Sequence, residues 1–337
     1  MLEIDGSYGE GGGQILRYAL ALSAITGRPF RILNIRRGRK KPGLMAQHIA
    51  SVRAAARITG AVVDGDHYGS NVLVFRPETI TAGSYQFDVA EERGSAGAVC
   101  LVLQTIVPIL LLAEGHSEIR VKGGTHVLFA PIFDYWNLIF AKTLRRIGIE
   151  VNGKIIKYGF YPKGGGEVLI RLKGSRPAPV NLLARGRLKA ILAVSGVANL
   201  NPRIAERQIK PIRDRFTDLD CEIKEVQSVS PGTYIFIKAE YENVLAGFSA
   251  LGRKGKPAEA VGQECLEQFL QFEESKGAVD PYLADQILLY LLMAEGESSF
   301  IPARITNHLK TGIWIINQFV DDAIALKNGL VELSGSI

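Results

Sequence analysis

Cysteine is scarce. The 337-residue chain carries three, Cys100, Cys221 and Cys265, odd in number and far apart. They read as buried thiols in a reducing compartment, and neither a disulfide framework nor a zinc cluster is expected. The start, Met1-Leu2-Glu3-Ile4-Asp5, lacks a basic head followed by an apolar core, so no secretory signal is expected and the cytoplasm is the expected location. Long hydrophobic runs are missing as well. The longest, 99–113, is broken by Gln104 and Pro108 and falls short of the roughly 20 residues a span needs. It reads as a buried helix, with no membrane partner.

A strong excess of one charge is also absent. Forty Lys and Arg against 34 Asp and Glu leave +6, which suits an anionic partner but predicts solubility more than nucleic-acid binding. At 47% hydrophobic and 22% charged, the chain can bury a large core and holds about two domains.

What is present is an internal repeat. An apolar helix closes on glycine and runs into a short strand three times: 20–27 before Phe30-Arg31-Ile32, 109–115 before Glu118-Ile119-Arg120-Val121, and 288–296 before Phe300-Ile301. In the first two, a glycine-rich turn, a proline and a second amphipathic helix follow, over 43–60 and 131–148, each leading into a β run. The third offers 307–320 and a strand at 330–333. One unit therefore reads as two helices plus a small sheet, used three times. Gly27 and Gly115 are 88 residues apart, whereas Gly115 and Gly296 are 181 apart, so an inserted domain fits the wider gap. The segment 184–275 has its own strand–helix–strand order and reads as a small α/β domain. The expected division is 1–183 with 276–337 as a three-repeat catalytic domain, and 184–275 as the insert.

Three clusters could carry chemistry. Gly9-Glu10-Gly11-Gly12-Gly13-Gln14-Ile15-Leu16-Arg17 is a glycine run opening a helix, where backbone N–H groups and the helix dipole favour phosphate. It is neither a Walker A loop nor a Rossmann fingerprint. Arg17 on an apolar helix needs a partner or a ligand and could hold phosphate, while Glu10 could hold a divalent metal bridging phosphates. The stretch Ile35-Arg36-Arg37-Gly38-Arg39-Lys40-Lys41-Pro42-Gly43, continuing to Gln47-His48, places five basic residues in a loop before a helix. A basic run is more often a solvated loop, but this one occupies the post-strand turn of a repeat and suits polyphosphate or RNA phosphate.

Arg17, Gln104 and Asp285 interrupt three apolar helices at intervals of 87 and 181 residues, almost the repeat spacings. They should occupy matching positions, either sharing a site or serving as satisfied structural polar groups. The third element is His308, with Lys310 and Thr311 nearby. A histidine can attack phosphorus through a neutral ring nitrogen and store an energetic phosphoramidate. His126, beside Gly123-Gly124-Thr125, is given no role.

Together these motifs resemble the RNA 3′-terminal phosphate cyclase family, from end to end. The matching pieces are 5–6 and 9–17; Ile35-Arg36, Gly38-Arg39, 41–44 and Gln47-His48; Gly94-Ser95-Ala96-Gly97 with 101–105; Gly123-Gly124-Thr125 with Ala130-Pro131; 159–162 with 164–166; Tyr282-Leu283-Ala284-Asp285-Gln286; and His308 with Thr311. The resemblance implies an α/β (α+β) fold of three two-helix, four-stranded units like the C-terminal domain of translation initiation factor three, with a small α/β domain inserted before the third. It implies use of ATP and a divalent metal, Mg or Mn, and RNA with a 3′-terminal phosphate as partner. The implied reaction passes through a covalent histidine–AMP on His308 and an adenylated RNA end to a 2′,3′-cyclic phosphate.

By the same matching, the catalytic set is His308, Glu10, Arg17, Arg36, His48 and Asp285, with Glu10 as metal ligand. Arg17, Arg36, Arg39, Gln47 and His48 meet phosphate or the RNA end. Gln104, Pro131, Phe248, Tyr282, Asp285, Gln286 and His308 form the ATP pocket, with Phe248 and Tyr282 stacking on adenine. Two positions depart from the family pattern, Val127 and Gly312 standing where asparagine is usual. An alternative is a non-catalytic, cyclase-like RNA-binding factor of ribosome biogenesis, but such relatives lack the histidine and much of the charged site. An enolpyruvyl transferase shares repeated βα units but not the 9–17 and 282–286 motifs. The sequence leaves homo-oligomerisation open.

Overall fold

The computed structural model describes residues 1–89 and 96–335; Gly94 and Ser95 of the motifs above lie outside the described residues. Strand β1 (Leu2–Asp5) leads into α1 (Gly13–Thr26), which ends at Gly27, whose φ of 68° few other residues adopt without strain. Then follow β2 (Phe30–Leu33), α2 (Ala46–Thr59), β3 (Val62–Asp64) and β4 (Leu73–Arg76). The alternation Phe30, Ile32 against Leu73, Phe75 buries one sheet face under the helices.

The next stretch runs β5 (Ser84–Asp88), α3 (Val99–Leu110) and β6 (His116–Gly123). A helical segment follows, made of α4 (Phe133–Tyr135), a π-helical turn (Trp136–Phe140) and α5 (Ala141–Arg146), then β7 (Val151–Lys157) and β8 (Gly166–Lys173). The C-terminal stretch supplies α8 (Leu283–Gln286), α9 (Leu288–Leu292), β14 (Glu297–Phe300), α10 (Asn307–Phe319), β15 (Ile324–Lys327) and β16 (Leu330–Ser334). Its fourth strand, β9 (Asn181–Leu182), comes from far upstream. The three sheets are ordered β1-β2-β4-β3, β5-β6-β8-β7 and β9-β14-β16-β15. In each, the first pairing is parallel and the other two are antiparallel.

Between β9 and α8 lie β10 (Leu188–Ala198), α6 (Arg203–Arg215), β11 (Asp220–Glu225), β12 (Gly232–Tyr241), β13 (Leu245–Leu251) and α7 (Ala258–Glu274). Their sheet is ordered β11-β10-β12-β13, a different pattern. The segment lies between β9 and β14, two strands of one sheet that pair in parallel. Arg185 ties the segment's two ends, its guanidinium donating to the carbonyls of Phe272, Glu273 and Ser275 at the C-terminus of α7.

One expectation fails outright at the cysteines. Cys100 and Cys265 are buried, but Cys221 is exposed. It sits on β11, an edge strand whose residues are nearly all solvent-facing, between the charged Asp220 and Glu222. Among the described residues no helix is long and apolar enough to cross a membrane.

Helices α6 and α7 meet where Gly262 faces the backbone of Gln208. A Cβ at 262 would lie 2.0 Å from the Gln208 carbonyl oxygen, closer than any relaxation of a side chain could cure. Gly262→Ala is therefore expected to lower the urea unfolding midpoint by an amount worth about 1–3 kcal/mol. Gly38→Ala, where a Cβ meets nothing within 4 Å, should leave it unchanged. Equal midpoints for the two variants would contradict this packing.

Candidate active site

Helix α1 lies at the centre, packed against α2, α3 and α10, and every residue from Gln14 to Ile25 is buried. Two of these are strongly polar: Gln14 is 5% and Arg17 9% exposed. They stand one turn apart on the same face. Arg17 Nε donates to Gln104 Oε1 of α3 at 3.2 Å. Burial lowers the Arg17 pKa to about 10, opposed by the charge of Asp285, so the guanidinium stays charged at neutral pH. Asp285 on α8 is pushed the other way, to about 7, by burial, with Arg17 holding it down. The three interruptions Arg17, Gln104 and Asp285 thus meet.

Gln14 connects this buried group to His308. Its Nε2 donates to the His308 carbonyl at 2.9 Å and lies 3.4 Å from Asp285 Oδ2, while its Oε1 is 2.8 Å from His308 Nδ1. His308 occupies the first turn of α10, whose N-cap Thr306 accepts from the Leu309 N–H. Its Nε2 lies 3.5 Å from Glu10 Oε2, and Glu10 in turn pairs with Arg39 at 3.3 Å. Burial lowers the His308 pKa, opposed by Glu10, so the ring tends to neutrality.

The glycine loop reaches α10 because two contacts fix it there. Tyr8 stacks on Trp314 with centroids 3.9 Å apart, and a Cβ on Gly9 would stand 2.7 Å from Thr311 Oγ1. Gly9 also has φ of 58°, which favours glycine.

A second donor group converges on Gly13. A Cβ there would lie 2.4 Å from His48 Nε2 and 2.8 Å from Arg17 Nη1. His48 Nδ1 accepts from the Met45 backbone N–H at 3.0 Å, so its proton sits on Nε2. Burial, with Arg36 and Arg17 nearby, lowers its pKa to about 3. His48 is a neutral donor aimed, with Arg17, at the start of α1, where backbone N–H groups are also free. Arg36, with φ of 56°, donates to the Lys41 and Gly43 carbonyls and shapes the basic loop. Arg39 reaches over the glycines, since a Cβ on Gly12 would lie 3.1 Å from its Nη2. Gln47 is half-buried beside Gly97.

On the other side, Tyr282 is 42% exposed, its ring edge-on to Tyr135 and its hydroxyl donating to Gln268 of α7 at 2.8 Å. Gln286 is buried, with its Nε2 bonded to the Tyr282 carbonyl and its Oε1 unpartnered. Pro131 is half-buried in the turn before α4. Phe248 is 1% exposed, between Phe269 and Phe272, because residues alternate along β13: its neighbour Gly247 faces Tyr135 and Ile139, and Phe248 faces α7.

Sequence reasoning gave no role to Gln14, Tyr18, Asp280 or the pair His126–Asp134. Tyr18 donates to the Asp285 carbonyl, and Gly312 packs on it: a Cβ at 312 would lie 3.4 Å from the Tyr18 hydroxyl. Asp280 accepts from Tyr135 and from the N–H groups of Tyr282 and Leu283, and burial pushes it up to about 6. His126 is buried against Asp134 at 2.9 Å, outside the group around His308. Val127 packs with Ala98 and Leu101. The signal for Gln14 was its place one turn before Arg17 on an apolar helix.

The family described as RNA 3′-terminal phosphate cyclase matches residues 8–326. Proteins named RNA 3′-terminal phosphate cyclase match at 45% identity in Nostoc punctiforme, over 95% of this chain and 94% of theirs, and at 43% in Methylococcus capsulatus, over 100% and 97%. One from Pyrobaculum aerophilum matches at 42%, over 95% and 92%. Among solved structures, the enolpyruvyl transferase NikO from Streptomyces tendae aligns with a TM-score of 0.29 and 16% identity over 52% of this chain and 33% of that one, too little to bear on fold or function. With a match spanning nearly the whole length, the chain belongs to the RNA 3′-terminal phosphate cyclase family.

Proposed function

We propose that this protein uses ATP to convert an RNA 3′-terminal phosphate into a 2′,3′-cyclic phosphate, with His308 as the nucleophile. The observation that carries the reading is the setting of His308: a half-exposed imidazole on the first turn of a 13-residue helix, oriented by Gln14 and facing Glu10 and Arg39. In the first step His308 Nε2 attacks the α-phosphorus of ATP, and the bond to the β-phosphate oxygen breaks, releasing pyrophosphate. An oxygen of the RNA 3′-phosphate then attacks the same phosphorus and the P–N bond returns its electrons to the ring. The adjacent 2′-hydroxyl attacks the 3′-phosphorus, loses its proton, and AMP departs. Arg17, the neutral His48 N–H and the N-terminus of α1 suit the phosphate oxygens, and Asp285, near pKa 7, can exchange a proton at neutral pH.

Among the described residues no group of three or more His, Cys, Asp or Glu side chains is disposed to hold a metal ion. Glu10 alone fits a Mg ion or Mn ion whose other ligands are phosphate oxygens and water, a common arrangement for Mg in nucleotide sites. Bound there, the ion would neutralise triphosphate charge. On the nucleotide side, Tyr282 offers an exposed ring face and Gln286 a free acceptor. The matching order and pairing of three sheets support the reading of 1–183 with 276–337 as three copies of one unit and 184–275 as an insert. A cytoplasmic location accords with RNA as substrate.

Incubation with α-labelled ATP and a divalent metal should leave acid-labile, alkali-stable label on the wild type and none on His308→Ala, and added RNA 3′-phosphate should acquire a cyclic end. An unlabelled wild type would sink the mechanism.

His48 predicts a pH effect. Its folded pKa of about 3 lies below the ordinary 6.5, so the unfolded chain binds more protons between those values. The stability that neutral His48 contributes is complete above pH 6.5 and is lost as pH falls, at up to about 1.4 kcal/mol per unit. Urea midpoints from pH 7.5 to 5 should fall more steeply for wild type than for His48→Gln; parallel curves would contradict a buried neutral ring.

A further inference from the structure

Histidine has two neutral tautomers, and only one leaves Nε2 with a lone pair. The geometry points to Gln14 as the positioning residue that selects it. The Nε2 of Gln14 faces the His308 carbonyl oxygen at 2.9 Å, an atom that can only accept, and the Asp285 carboxyl lies on the same side. The amide group must therefore present its NH2 there, and its carbonyl Oε1 to the imidazole. Oε1 can only accept, so at 2.8 Å the His308 Nδ1 carries a hydrogen. Nε2 is left unprotonated in the neutral ring.

The competing acceptor is Glu10, which would favour a proton on Nε2. It lies 3.5 Å away, at the outer edge of hydrogen bonding, against 2.8 Å for Gln14. It is also drawn toward Arg39, and both it and Arg39 are substantially exposed. Gln14 is 5% exposed on a buried helix and cannot reorient without stranding its amide. A side chain anchored to the backbone of the residue it orients keeps ring and amide in register, because His308 supplies both the carbonyl that fixes Gln14 and the imidazole that Gln14 fixes. His48 is held in the opposite tautomer by a backbone donor to its Nδ1, so the two histidines have different chemistry, one a free base and the other a neutral donor.

The inference rests on His308 being the nucleophile, but its first test does not depend on any reaction. Long-range proton–nitrogen correlation spectra of the 15N-labelled full chain, without nucleotide, should show His308 as the Nδ1–H tautomer in the wild type. In Gln14→Met, which fills similar volume but has no acceptor, His308 should move to the tautomer mixture of a free imidazole, and the initial rate of label uptake from α-labelled ATP should fall about 10- to 100-fold. An unchanged His308 spectrum in a folded Gln14→Met protein would overturn the inference even if the wild type takes label. A wild type that shows the Nδ1–H tautomer, lost in Gln14→Met, yet takes no label would uphold the role of Gln14 and overturn the nucleophile reading alone.

Discussion

A guanidinium on a helix with no exposed face is the constraint around which this site is arranged. Arg17 cannot give up its proton at neutral pH and is only 9% exposed near the start of α1. Burying such a charge costs several kcal/mol unless it is met by hydrogen bonds and opposite charge. The chain meets it with Gln104 from α3 and Asp285 from α8, one polar group from each neighbouring apolar helix. The compensation is incomplete: Arg17 donates to a neutral amide, and the Asp285 carboxyl is itself held near pKa 7 by burial. An under-neutralised cation beside a helix N-terminus is a favourable place for a phosphate, which brings the negative charge the protein leaves out.

The same helix settles where the other groups can stand. Because α1 packs against α10, Gln14 meets His308, and because Tyr8 stacks on Trp314, the glycine loop that precedes α1 folds back over α10 and carries Glu10 to the imidazole. Glycine at 9 and 13 serves this closeness, since a side chain at either would collide with Thr311 or with His48 and Arg17. The site is therefore built from helix beginnings and buried helix faces, with the basic loop at its rim.

Much of this was legible in the sequence. Arg17, Gln104 and Asp285 stood out as polar breaks in apolar helices at nearly the repeat spacing, and the structure brings them together. The apolar helices α1 and α3 and the strands β2 and β6 followed from the apolar pattern. Less legible were features that depend on contacts between distant segments. Gln14 looks like any polar residue at a helix start until α10 is packed against it. Cys221 lies on an edge strand between Asp220 and Glu222, and its exposure follows from that place in the sheet. Strand β9 escaped because it is two residues long, too short to carry a period, and only its pairing with β14 makes it a strand of that sheet.

Phe248 shows how one strand divides its residues between two surroundings. Strand β13 borders Asp280 and Tyr135: the Gly247 N–H reaches Asp280, and Gly247 lies against Tyr135, whose hydroxyl also bonds Asp280. Since side chains alternate along a strand, the residue after Gly247 must turn away, into the Phe269 and Phe272 core under α7. What the inserted segment contributes there is backbone and a glycine-sized gap, together with Gln268, which accepts from the Tyr282 hydroxyl. The insert is thus tied to the site through Asp280 and Tyr282, two residues just beyond its own C-terminal end. Its packing bears directly on how the Tyr282 ring is held, even though it adds no aromatic face of its own.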